Sequence, residues 1–147
     1  MAMARGMICR HDDSPGGAHT FVCVEDDEAP QVLVVEDTKE IRDIIVWLLR
    51  QSGYRALAAE NGLAAQLLLA TARPALIISD LNMPRCDGWE LLSFCHRQHP
   101  DIPVMIVSSE GLGRHPEVER WAAGYVSKPF KFRAFRAEVE RLISRAA

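Results

Sequence analysis

The sequence predicts an α/β domain: five βα units folded as a doubly wound parallel sheet with helices on both faces. Three observations predict it. Short apolar runs rich in β-branched residues alternate five times with segments whose apolar residues recur at three- and four-residue spacing. The best-defined runs lack the in-and-out polar alternation of half-exposed strands, as expected of strands covered on both faces. Four of the five runs break off at a charged or hydroxyl residue, the pattern of an open sheet that presents its chemistry at the carboxyl ends of its strands.

The units follow in order. Val32-Leu33-Val34-Val35 is a buried strand ending at Glu36-Asp37. Ile41, Ile44, Ile45, Leu48 and Leu49 then fall at i, i+3, i+4, i+7 and i+8, the stripe of a helix that packs on a sheet, and Gly53 closes it. Tyr54 to Ala58 is a weaker strand and Asn61-Gly62 a turn. Ala64, Leu67, Leu68 and Leu69 form a helix that must stop before Pro74, because the residue preceding a proline resists helical geometry. Ala75 to Ser79 is a strand that delivers Asp80 to the rim of the sheet, and Asn82, Pro84 and Asp87-Gly88 mark the loop beyond it. Trp89, Leu91, Leu92 and Cys95 mark a third helix, closed by His99-Pro100, and Val104 to Val107 is a fourth strand ending at Ser108-Ser109. After a weak region from Gly111 to Pro116, a short helix is expected over Glu117 to Ala122. Tyr125-Val126-Ser127 is a fifth strand running into Lys128-Pro129, and Phe132, Phe135, Val139, Leu142 and Ile143 set the face of a last helix.

Residues 1–30 stand apart. Gly6, Pro15, Gly16, Gly17 and polar residues show no sustained period, and the short alternation Phe21 to Val24 is better read as part of a poorly ordered leader than as a strand. The expected organisation is a flexible acidic extension over 1–30, bounded by Pro30, and a domain over 31–147. Arg5 and Arg10 face six acidic residues in the extension, so with a net charge of −3 the remaining chain is almost neutral. That balance argues against nucleic-acid binding through a basic surface.

At 147 residues, 48% hydrophobic and 25% charged, the chain suits one domain with a sizeable core. No apolar run approaches the ~20 residues that span a bilayer, and no signal-peptide pattern opens the chain, so a cytoplasmic location is expected. Cys9, Cys23, Cys86 and Cys95 contain no C-x-x-C and read as reduced thiols. His96 and His99 beside Cys95 read as a solvated helix end rather than a metal site.

A strand order of 2-1-3-4-5 fits five units of this length, and in that order the ends of the first, third, fourth and fifth strands converge. The convergent residues are Glu36, Asp37, Asp80, Ser108 and Lys128. Packed carboxylates repel unless a cation joins them, and oxygen-only ligands favour Mg²⁺ or a similar hard ion. A lysine supplies a point charge for a phosphoryl oxygen, and a serine a hydrogen-bond donor. These are the parts for phosphoryl transfer onto a carboxylate.

From Gln31 to Ala147 the chain resembles a response-regulator receiver domain of two-component signalling, with the flavodoxin-like, chemotaxis-receiver fold. The resemblance rests on Val34-Val35-Glu36-Asp37, the loop Asp80 to Gly88, Val107-Ser108-Ser109 and Tyr125 to Phe130, in order at the right strand ends. It implies Asp80 as phosphoacceptor, Asp37 as a direct Mg²⁺ ligand, Glu36 acting largely through bound water, and the Asn82 backbone carbonyl as a further ligand. Lys128 would contact the phosphoryl group, with Lys128-Pro129 cis, while Ser108 and Tyr125 would move together as the switch. Asn82 and Glu110 are the positions that tune phosphoryl lifetime in the family. The motif in the extension, Val22-Cys23-Val24-Glu25-Asp26-Asp27, mimics the first of these fragments but precedes no amphipathic helix. The segment after Ser109 is about two residues short for the family, which predicts an irregular fourth helix.

The expected function is therefore a stand-alone receiver that takes a phosphoryl group from a histidine kinase or histidine phosphotransfer protein. It would act on a downstream protein target, with a phosphorylation-dependent dimer as a further expectation and no nucleic-acid or membrane partner. It would catalyse only its own phosphorylation and dephosphorylation. Two alternatives stand beside it: a receiver-shaped interaction module that signals without phosphorylation, and a phosphatase with an aspartyl-phosphate intermediate. The phosphatase wants a second acid two residues past the nucleophile, where this chain has Asn82. The basic run Lys131, Arg133, Arg136 and Arg141, with Glu138 and Glu140 as neighbours, reads as a solvated helix face.

Overall fold

The structure is a computed structural model, and it describes residues 7–11, 21–25, 28–81, 83, 87–109 and 116–146. Two strands, β1 (Met7–His11) and β2 (Phe21–Glu25), pair antiparallel as a separate sheet. The extension, expected to be flexible, thus carries paired strands over these residues. Its mixed composition hid the first strand, and only the alternation at Phe21 to Val24 hinted at the second.

The main sheet has five parallel strands: β3 (Gln31–Val35), β4 (Arg55–Ala59), β5 (Leu76–Ser79), β6 (Val104–Ser108) and β7 (Gly124–Ser127). Their order is β4-β3-β5-β6-β7, which is 2-1-3-4-5 when the sheet is numbered from its own first strand. The helices are α1 (Lys39–Gln51), α2 (Gly62–Leu69), α3 (Gly88–Gln98), α4 (Pro116–Trp121) and α5 (Phe132–Ala146). Among the described residues no helix is long and apolar enough to cross a membrane.

Successive strand residues point to opposite faces, so each strand feeds two cores. Val32, Val34, Ile78 and Met105 pack with Ile45 and Leu49 of α1 and Phe135 and Val139 of α5. Leu33, Ile77 and Ile106 pack with Ala65 and Leu69 of α2 and Leu91, Leu92 and Cys95 of α3. The helix ends have chemical stops. Gly53, at φ 91°, lets its own N–H bond the Arg50 carbonyl and the Tyr54 N–H bond the Leu49 carbonyl, which ends α1 in a Schellman motif. Asn61 and Asp87, expected as turn residues, are N-caps: their Oδ1 atoms accept from the Ala64 and Glu90 N–H groups at 2.8 and 2.9 Å. α4 is the short helix expected, with Pro116 at its first turn, where a missing N–H costs nothing. Residues 110–115 lie outside the described residues, so the expected irregularity before it does too.

Candidate functional site

Strand register assembles the site. Val35 lies opposite Ser79, so the next residues, Glu36 and Asp80, emerge side by side at the carboxyl edge. The Asp80 N–H donates to the Val35 carbonyl at 3.2 Å and fixes that step. On the other side Ser108 lies opposite Ser127, so Lys128 leaves β7 beside the end of β6, where its N–H donates to the Ser108 carbonyl at 2.9 Å.

The Lys128 ammonium spans the gap. Its Nζ lies 2.8 Å from Glu36 Oε2 and 3.0 Å from Asp80 Oδ2. Glu36 is only 2% exposed and receives the Thr38 N–H on its other oxygen at 3.3 Å. Burial pushes the Glu36 carboxyl above its ordinary value of 4.5; the hydrogen bond and charge of Lys128 oppose that push, and the charge of Asp80 adds to it. Burial also works against the Lys128 ammonium, but the hydrogen bonds and charges of Glu36 and Asp80 outweigh it and hold the amine above its ordinary 10.5.

Asp37 is exposed at the rim and completes a cluster: Glu36, Asp37 and Asp80 each bring a carboxylate oxygen within 4.8 Å of the others. The donor set is all oxygen, and the negative charge of the three carboxylates exceeds what the single Lys128 ammonium neutralises. Those residues fit a hard divalent cation such as Mg²⁺. Ser108 is fully buried at the end of β6, and the Tyr125 hydroxyl donates to its carbonyl at 3.2 Å. The Lys128–Pro129 peptide is cis, as the resemblance implied.

The structure thus brings together Glu36, Asp37, Asp80 and Lys128, and joins Ser108 to Lys128 and Tyr125 through one carbonyl. Asn82 and Glu110 lie outside the described residues. Of the group read as a solvated helix end, Cys95 is instead buried in the core, while His96 is exposed and stacks on Trp121 with ring centroids 4.6 Å apart. Arg136 pairs with Glu140 at 3.0 Å and Arg141 with Glu138, in keeping with a solvated α5 face. Two further residues support the site, of which the sequence marks only Gly88, as part of the Asp87-Gly88 turn. Arg42 donates to the Glu36 carbonyl at 2.8 Å, though by spacing it reads as a surface arginine of an amphipathic helix. Gly88 sits so close beneath the acceptor that a methyl group built on it would overlap the Asp80 carbonyl oxygen.

Comparison with known proteins points the same way. Residues 32–140 match the family described as response regulator receiver domain. The response regulator protein FleR of Pseudomonas aeruginosa is 36% identical over 115 residues, which cover 77% of this chain and 24% of FleR. The chain therefore spans about a quarter of the length of that curated relative. Among solved structures, the receiver domain of the Francisella response regulator 1452 is 29% identical with a TM-score of 0.74, over 80% of this chain and 99% of that one. The response regulator TrrA of Thermotoga maritima, solved in complex with Mg²⁺ and BeF, is 27% identical with a TM-score of 0.72, over 77% of this chain and 98% of that one. Sheet order, strand-end chemistry and relatives agree, and the chain belongs to the response regulator receiver domain family, the signalling module of two-component systems.

Proposed function

We propose that this receiver accepts a phosphoryl group from a phosphohistidine donor onto Asp80 in a Mg²⁺-dependent step. The observation that carries the reading is the placement of Lys128 between Glu36 and Asp80, with Asp37 at the rim. An Asp80 oxygen attacks phosphorus, the bond from phosphorus to the donor imidazole nitrogen breaks, and the electron pair leaves with that nitrogen. As the acceptor carboxylate loses its charge to the new acyl phosphate, Lys128 exchanges Asp80 Oδ2 for a phosphoryl oxygen and keeps Glu36. Asp37, Asp80 and the Asn82 backbone carbonyl would hold Mg²⁺, with Glu36 acting largely through bound water, and the ion would supply positive charge to offset that of the phosphoryl oxygens. The Ser108 hydroxyl donates to the phosphoryl group, and Tyr125, hydrogen-bonded to the same residue, changes rotamer with it.

Acting in the cytoplasm, the receiver takes its phosphoryl group from a histidine kinase or histidine phosphotransfer protein and presents the changed surface to a protein target, or to a second copy. In this role it turns over no external substrate. Incubation with Mg²⁺ and acetyl phosphate, read by intact mass, should add one phosphoryl group per chain. Asp80→Asn should abolish the adduct, and chelation of Mg²⁺ should suppress it. No adduct on the wild type, or an undiminished one on Asp80→Asn, overturns the reading and leaves an interaction module that signals without phosphorylation.

A further inference from the structure

α1 begins at Lys39, which places Arg42 near the positive end of the helix dipole, where a cation is disfavoured. Lys39 is exposed and pairs with Asp43 at 2.7 Å, but the half-buried Arg42 turns back six residues and donates to the Glu36 carbonyl at 2.8 Å. That carbonyl belongs to the peptide joining Glu36 to Asp37. A peptide is planar, so the bond fixes the plane from which the Asp37 side chain departs. At the other end of Glu36 its N–H donates to the Ala59 carbonyl at 3.1 Å, and beyond Asp37 the Thr38 N–H donates to Glu36 Oε1 at 3.3 Å. Asp37 thus stands exposed at the rim between two anchored peptide groups, and the guanidinium bond is the short, charge-assisted anchor. Arg42 reaches the site through this backbone: the charges acting on the Glu36 carboxyl are those of Lys128 and Asp80, and Arg42 is not among them.

We propose that Arg42 is a positioning residue that makes the carboxylate cluster selective for Mg²⁺ over Ca²⁺, an inference that rests on the reading that Asp37 and Asp80 hold the cation. Mg²⁺ demands near-ideal octahedral geometry at about 2.0–2.1 Å, whereas Ca²⁺ accepts irregular shells at about 2.3–2.6 Å. A pinned Asp37 therefore matters more to the smaller ion. The charge of Arg42 works in the other direction, because a cation fixed near the cluster repels Mg²⁺ and Ca²⁺ alike. Removal of Arg42 separates the two effects by sign: lost charge tightens both ions, and lost position weakens Mg²⁺ above all.

The test titrates the whole, unphosphorylated chain, stripped with chelator, with Mg²⁺ alone and with Ca²⁺ alone, and takes each Kd from the rise of the melting midpoint with ion concentration. Arg42→Met removes the guanidinium and keeps an apolar stem. It should weaken Mg²⁺ about tenfold, as the loss of a group that orients a metal ligand does, and Ca²⁺ by less than about threefold. General destabilisation lowers the midpoint without ion and leaves the ratio of the two constants unchanged, so the ratio reports position alone. Arg42→Gln keeps a polar head at this half-buried place, carries the same expectation, and decides the matter if Arg42→Met has no cooperative melt in chelator. Mg²⁺ binding as tight as in the wild type or tighter, or equal weakening of the two ions, would overturn the proposal and leave the cation reading standing. A wild type that binds neither ion would overturn both.

Discussion

Gly88→Ala adds a single methyl group under the acceptor. That methyl overlaps the Asp80 carbonyl oxygen and comes within 2.6 Å of Leu81 Cα and 2.9 Å of the Asp80 carbonyl carbon. All three are backbone atoms and cannot swing aside. The Gly88 N–H, which donates to the Leu81 carbonyl at 2.9 Å, must be carried away with them. Overpacking costs about 1–3 kcal/mol, and immovable neighbours place this change at the upper end. Lost freedom of the unfolded chain returns about 0.4–1 kcal/mol. The net is a destabilisation of about 2 kcal/mol, or roughly 6–8 °C in midpoint for a domain of this size. Gly124→Ala is the matched control: the atoms nearest its methyl are the Glu138 carboxylate and Leu142 Cδ1, both ends of side chains, and it should cost at most about 1 kcal/mol. Thermal melts of the two variants beside the wild type decide the matter. A Gly88→Ala protein that melts at or above the wild type, or no lower than Gly124→Ala, refutes the reasoning.

Two further predictions follow from the buried groups. Because burial raises the Glu36 carboxyl above 4.5, its contribution to stability is fully present below the unfolded value and is lost as pH rises through the raised folded value. In chelator, the wild type should therefore lose stability relative to Glu36→Gln as pH rises above 4.5, and parallel melting curves across that window would count against it. Phe135 is 1% exposed between α5 and the sheet, so Phe135→Ala should cost about 3–4 kcal/mol. Trp47 is 60% exposed, and Trp47→Ala should stay within about 0.5 kcal/mol; similar urea midpoints for the two variants would contradict the assignment of the core.

The parts of this fold that could be read from the sequence are those whose pattern has one physical meaning. Val32 to Val35 and Leu76 to Ile78 are too short and too apolar to be anything but buried strands, and with the strand order they bring Glu36 and Asp80 side by side. Other patterns carry two meanings. An Asn or Asp before a helix has the same sequence signature as a turn former and as an N-cap, and for Asn61 and Asp87 only the Oδ1 contacts separate the two. α2 is Ala- and Leu-rich all round, so periodicity could not say that Leu69 is buried at 3% while Leu67 lies open at 76%. The pairing of β1 with β2 depends on register between separated segments, of which only Phe21 to Val24 has the composition of a strand. Arg42 and Gly88 act on the site through backbone atoms of other residues, a role that no side-chain pattern announces.

The carbonyl of Ser108 is held from two sides. An amide oxygen has two lone pairs, and here both are engaged, by the Tyr125 hydroxyl at 3.2 Å and the Lys128 N–H at 2.9 Å. The end of β6 is thereby a saturated junction. Its main chain cannot shift without releasing or dragging one of two donors, and those donors belong to an aromatic ring on β7 and to the residue that carries the site's ammonium. A small displacement at this one oxygen is mechanically shared by the edge of the sheet and by the charge at the acceptor, with no longer path needed between them.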